Sequence, residues 1–155
     1  MSRVVDTESV RPQDRFDFWV EAILRTCFPL SLKRGQQRYE PFYGSVHQYF
    51  LGPLTISRVR AHAMTMTRTP GEVRSHDPET MQISLQVRGR STYVQGGGVA
   101  TVTPGAMVVY DTSRPFTIHS EAPTEVIVVE TSKAMLGSGI DWARSHCGEL
   151  SLIHI

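Results

Sequence analysis

The residues best suited to holding a transition metal are six histidines: His47, His62, His76, His119, His146 and His154. A site of three imidazoles and a carboxylate on an antiparallel β scaffold needs two His one residue apart, so that both leave the same strand face. A Glu must follow a few residues on, with a third His from a later strand. No two of the six stand one residue apart, so no metal is expected. Nucleophilic chemistry fares no better. Ser138 in Gly137-Ser138-Gly139 lacks the strand–turn–helix elbow that strains a serine for attack. Cys27 falls on an apolar helix face, and Cys147 is only a sequence neighbour of His146, which seldom gives a productive geometry. Gly96-Gly97-Gly98 joins two strands rather than a strand and a helix, so it reads as a hairpin turn and not a phosphate cradle. The two cysteines fit no zinc or redox spacing and read as free thiols in a reducing cytoplasm. Neither a catalytic constellation nor a cofactor is expected.

What remains is residues 103–118, in which a Pro104-Gly105 turn, a strand, an Asp111-Thr112-Ser113-Arg114-Pro115 corner and a second strand follow without slack. Asp111 is suited to accept from backbone N–H groups across the corner, with Arg114 answering its charge, which makes the pair a structural corner.

The elements that must position these residues follow from length and pattern. A chain of 155 residues reads as one domain able to bury a sizeable core. A formal charge of +1 with no basic run argues against a free-standing nucleic-acid binder or a polybasic membrane module. No apolar run approaches the ~18 residues that cross a bilayer, and residues 1–8 carry no secretory h-region. Phe16, Trp19, Val20, Ile23, Leu24 and Cys27 recur on one helical face, with Pro12 suited to the first turn and Pro29 stopping the run. Residues 1–11 read as an extended arm. From about 28 to 130, short β-branched and aromatic stretches are separated by Gly and Pro breaks, with no helix between them, which predicts an antiparallel sandwich or barrel. Strict alternation of Met81, Ile83, Leu85 and Val87 with Gln82, Ser84, Gln86 and Arg88 predicts a strand with its apolar face inward. After Glu130 a short helix around 132–136, a glycine loop and a poorly patterned tail are expected. The terminal Leu150, Leu152, Ile153 and Ile155 look like residues that belong against a neighbouring element.

Tyr110-Asp111-Thr112-Ser113-Arg114-Pro115-Phe116, preceded by Pro104-Gly105, resembles the signature of the N-terminal sensor domain of AraC-type transcriptional regulators, the cupin-like subgroup. Residues 51–60 and 83–90, with Gln95 opening the hairpin, support the likeness, which spans about residues 16–136. Gly96-Gly97-Gly98 departs from the charged turn usual in relatives, so the hairpin tip receives no role. The resemblance implies a mainly β, cupin-like antiparallel jelly roll with an N-terminal helix and a short helical tail. It implies residues 1–11 as an arm, 12–136 as helix plus effector-binding barrel, and 137–155 as a truncated linker toward absent dimerisation and DNA-binding parts. The implied partners are a small-molecule effector, a second copy in a homodimer, and DNA only through a C-terminal helix-turn-helix domain, with no membrane. Matching strand order to a sugar-sensing member implies Arg74, His76, Ile118, Glu125 and Ile127 as pocket lining. The rival expectations are a stand-alone metal-dependent cupin enzyme and a partner-binding domain without a small ligand.

Overall fold

The structure, a computed structural model, describes residues 1–36, 40–147 and 150–152, the last three as backbone. Helix α1, Arg15–Thr26, follows a 3-10 turn at Pro12–Asp14 that has proline at its first position. The helix ends where the Cys27 amide bonds the Ile23 carbonyl, with Pro29 beyond. Trp19, Ala22 and Ile23 are its buried residues, whereas Leu24 and Cys27 keep accessible surface.

The predicted arm is a strand. β1, Ser2–Asp6, pairs antiparallel with β3, Gly44–Leu51, so an unpaired sheet edge captures it. Its continuation is anchored by Thr7, fully buried, whose hydroxyl accepts from the Gly44 amide at 2.9 Å. β2, Ser31–Arg34, lies between α1 and β3 in the chain. The barrel proper is β4 (Leu54–Ala61), β5 (Met64–Arg68), β6 (Thr80–Arg88), β7 (Ser91–Gln95), β8 (Gly98–Val102), β9 (Ala106–Asp111), β10 (Phe116–Ser120) and β11 (Thr124–Ser132). β4 pairs with β11, β5 with β10, β6 with β9 and β7 with β8, as in one long hairpin rolled up. That winding is a jelly roll. The result is a seven-stranded sheet, β1-β3-β4-β11-β6-β9-β12, facing a five-stranded sheet, β2-β5-β10-β7-β8, where β12 is Leu150–Leu152. Leu150 and Leu152 of the apolar tail thus join an edge strand, while Ile153, His154 and Ile155 lie outside the described residues.

Three expectations need correction. A short helix, α2 (Pro70–Ser75), does interrupt the strands. Thr69 and Glu72 close a reciprocal capping box around its first turn, a T-x-x-E signal present in the sequence. The tail is more ordered than its pattern indicates: beyond the expected helix α3 (Lys133–Leu136), a second one, α4 (Ile140–Ser145), follows. Finally, β6 faces the other way. Gln82, Ser84 and Gln86 are 8%, 1% and 1% exposed inside the barrel, whereas Ile83 on the outer face is 39% exposed. Alternation marks two faces but does not say which is inward. Here the interior supplies polar partners: Gln82 Nε2 donates to Glu130 at 2.6 Å, and the Ser84 and Tyr93 hydroxyls lie 2.8 Å apart. The outward Met81 is covered by Leu136, Ile140, Ala143 and Cys147 of the C-terminal helical segment.

The corner is built as expected around Asp111 but not with Arg114. Asp111, 1% exposed, accepts from the Ser113 amide at 2.8 Å and is ion-paired with Lys133 at 2.6 Å, with Arg144 at 3.9 Å. The Arg114 guanidinium instead lies against Gly96. Lys133 is twenty-two residues downstream of the carboxylate it neutralises, a pairing that local spacing does not reveal. Gln95 ties the hairpin to the same corner, donating to the Asp111 carbonyl at 2.7 Å and accepting from its amide at 2.8 Å. Gly96 and Gly97, at φ +57° and +83°, close the two-residue turn between β7 and β8, as a primed turn requires.

Candidate functional site: a cavity between the sheets, roofed by the first helix

α1 lies over the gap between the sheets, and Trp19, Ile23, Thr26 and Cys27 from this helix and its cap form one wall of a cavity. Strand alternation brings Val46 and Gln48 from β3, Thr55, Ser57 and Val59 from β4, and Val128 and Glu130 from β11 to the same space. Met64 and Met66 of β5 and Phe116 and Ile118 of β10 close it from the opposite sheet. The space open to the centres of water-sized molecules is about 70 Å³. Since one water occupies ~10–15 Å³ on that measure, several waters or a small organic molecule fit. A second cavity of about 70 Å³ adjoins it, sharing the walls Val59, Met64, Met66, Tyr110, Ile118 and Val128.

The walls are mostly apolar with a few placed polar groups. Gln48 Nε2 donates to the Thr26 carbonyl at 3.4 Å and to Ser57 Oγ at 3.2 Å, while its buried Oε1 has no hydrogen-bond partner. Glu130 accepts from Thr80 Oγ1 at 3.2 Å and from Gln82. Burial pushes the Tyr110 hydroxyl well above its ordinary range, helped by Tyr93, Cys27 and the Glu130 charge. Desolvation, opposed by the Thr26 hydrogen bond and aided by Glu130, pushes the Cys27 thiol up to about 11, so this cysteine is a weak nucleophile. No Lys, Arg or His lines this cavity among the described residues.

Of the five residues expected to line a pocket, this cavity contains Ile118. Glu125 and Ile127 sit on alternate positions of β11 to Val126, Val128 and Glu130, and so face away from the barrel interior. Glu125 is held there by Arg58 Nε at 2.6 Å, Arg60 Nε at 3.2 Å and Arg88 Nε at 3.9 Å. Arg74 and His76 are exposed, in α2 and at its C-cap. Sequence reasoning missed Gln48, Ser57, Gln82, Tyr110 and Glu130. Polar residues alternating with apolar ones read as solvent-facing, and only closure of the two sheets turns them inward.

Burial alone would raise the Glu125 carboxyl, but the Arg58 hydrogen bond and the charges of Arg58 and Arg60 outweigh it and hold the carboxyl below its usual value. A depressed folded-state pKa contributes stability above the unfolded value, lost as pH falls through the folded one. Urea midpoints of the wild type and Glu125→Gln should therefore differ most near pH 7 and converge below pH 4.5, the ordinary carboxylate value. A gap that stays constant across that range would contradict this account of the cluster.

Among the described residues, no three His, Cys, Asp or Glu side chains come together as metal ligands, and Cys27 and Cys147 are free thiols. Among the described residues no helix is long and apolar enough to cross a membrane.

The AraC-binding-like domain family matches residues 19–152, which takes in α1 from Trp19 onward, strands β2 to β12 and the C-terminal helices. The chain belongs to this family. An AraC-binding-like domain also accounts for the strand winding: the crystal structure of the AraC-like transcriptional activator CuxR superposes with a TM-score of 0.81 over 92% of this chain and 51% of that one, at 16% identity. At that identity the likeness speaks for the fold. The chain is 31% identical over 103 residues to the transcriptional activator NphR of a Rhodococcus species, covering 66% of this chain and 31% of that protein. It is 27% identical over 136 residues to an uncharacterized protein in the nit 5' region of Bacillus sp. (strain OxB-1), covering 88% of this chain and 52% of that protein. The chain thus spans about half or less of the length of these relatives.

Proposed function

We propose that this AraC-binding-like domain is the effector-sensing part of a transcriptional regulator, taking up a small molecule in the cavity under α1. One observation carries the reading: the gap between the sheets is hollow, apolar with a few polar groups, and walled on one side by α1. Small-molecule sites have this makeup. The fold also supplies a route outward. The strand that presents Val46 and Gln48 to the cavity, β3, is hydrogen-bonded to β1, so filling the cavity bears on both α1 and the N-terminal strand. The effector acts by binding one arrangement of these elements more tightly than another; a shift from 1:99 to 99:1 takes ~5.5 kcal/mol of difference. In the whole regulator, dimerisation and DNA binding through helix-turn-helix units fall to protein outside these 155 residues, in keeping with the greater length of the relatives. The domain itself is a binding module rather than an enzyme and acts in the cytoplasm.

A metabolite screen by thermal unfolding tests this. An effector at 100 times its Kd adds ~2.7 kcal/mol, which raises Tm by roughly 5–10 °C at this size. The same compound should change the emission of Trp19 in a Trp142→Phe background, because Trp19 is in the cavity wall and Trp142 is 63% exposed elsewhere. A compound that raises Tm without altering Trp19 emission would place its site elsewhere.

A further inference from the structure

We propose that the cavity, on the reading that it is the sensing site, selects an uncharged or cationic molecule presenting an N–H or O–H donor from a compact apolar body, and rejects carboxylates. The charge preference follows from the walls. Glu130 contributes a carboxylate, and no cationic side chain among the described residues lines the space to offset a second negative charge. In a low-dielectric interior an anion there would lose its hydration and lie near Glu130, with hydroxyl groups but no cation in the walls to compensate it. Burial is the main cause that raises the Tyr110 hydroxyl and the Cys27 thiol, and the Glu130 charge adds to it at both.

The donor requirement follows from Gln48. Its amide orientation is fixed, because the Thr26 carbonyl accepts and never donates, so the amide nitrogen must face it. That leaves Oε1 as a buried acceptor without a partner. Gln48 is a wall residue of the cavity, so a small shift of its side chain that brings Oε1 to the cavity surface lets a ligand N–H or O–H relieve the desolvation it suffers, whereas a ligand carboxylate cannot. Gln86, whose Oε1 is the other such atom among the described residues, lines neither cavity.

The apolar body follows from the partition between the two chambers. Each offers about 70 Å³, and Met64 and Met66 stand in both walls. Methionine side chains turn about three single bonds and refit easily. Their rotation joins the chambers into a space close to the ~150 Å³ that accommodates a benzene ring in a protein core. A single ring with a short polar substituent therefore fits the joined space.

The test uses the 155-residue chain labelled with ¹³C at its methionine methyls, titrated at pH 7 with benzylamine, benzyl alcohol and benzoate, which share a skeleton and differ in charge and donor. Benzylamine and benzyl alcohol should shift the Met64 and Met66 resonances saturably, leaving the exposed Met135 unmoved, with benzoate at least about tenfold weaker. Gln48→Leu should weaken the two donors while leaving benzoate unchanged. Glu130→Gln should narrow the gap between benzylamine and benzoate, and it carries the test alone if the Gln48 variant does not fold. Benzoate binding as tightly as benzyl alcohol overturns the ligand class and leaves the sensing site standing. If none of the three moves Met64 or Met66, the single-ring ligand class is overturned, and the sensing reading is decided separately by the metabolite screen and the Trp19 emission.

Discussion

Replacing Arg68 with methionine should lower stability by about 3–5 kcal/mol, because three carbonyl acceptors lose a charged donor and each costs ~1–3 kcal/mol when left unpaired in the interior. Arg68 is fully buried at the end of β5, and each arm of its guanidinium is used: Nε donates to the Thr112 carbonyl at 2.7 Å, Nη1 to Pro29 at 2.8 Å and Nη2 to His76 at 2.7 Å. The plane also lies 4.7 Å from the centre of the Phe28 ring, a cavity wall residue. One side chain thus staples the β9–β10 corner, the stretch after α1 and the stretch after α2. Burial lowers its pKa, opposed by the charges of Asp77 and Glu72, and its tie is to backbone carbonyls rather than to a carboxylate. Methionine fills much of the volume but strands three acceptors. Arg68→Lys should recover only part of the loss, because a single ammonium lacks the fixed fork that reaches three divergent carbonyls. Urea unfolding measures both variants; an Arg68→Met midpoint equal to wild type at unchanged m-value would refute the staple.

Trp19→Ala should cost a similar 3–5 kcal/mol, a Tm fall of roughly 10 °C. The indole is fully buried, its Nε1 lies 3.3 Å from Met64 Sδ, and its ring packs at 5.9 Å from that of Phe42. It is also what seats α1 on β3, because the indole lies flat on Gly44: a Cβ there would meet the ring at 2.6 Å. Gly44→Ala should therefore destabilise by about 1–3 kcal/mol by itself, through overpacking. In the Trp19→Ala background the same methyl has room, so the two changes should combine to less than the sum of their separate effects. Strict additivity in thermal unfolding would show that the glycine does not serve the tryptophan.

These two sites divide along the line between what can and cannot be read from the chain. The apolar period from Phe16 to Cys27 predicts α1 and places Trp19 on its buried face, as found. That Gly44, twenty-five residues away, is glycine for Trp19's sake is invisible in one dimension. Arg68 was likewise one arginine among many, because its three acceptors are carbonyls, which every residue carries and no sequence pattern marks.

The amino-acid sequence by itself determined the mainly antiparallel β architecture, the first helix, the glycine hairpin and the family, because turn chemistry and local periodicity act over a few residues. The Asp111 corner was legible as a structure, though not its true counter-ion. Tertiary structure alone decided which side of β6 and β11 faces inward, that the N-terminal arm completes a sheet edge, and that Gln48, Tyr110 and Glu130 share a cavity with Ile118 while Glu125 and Ile127 face away from it. The physical reason is common to all of these. Alternation supplies two equivalent faces, and the choice between them is made by closure of the roll, which brings residues tens of positions apart into one space and lets buried polar groups find their partners there.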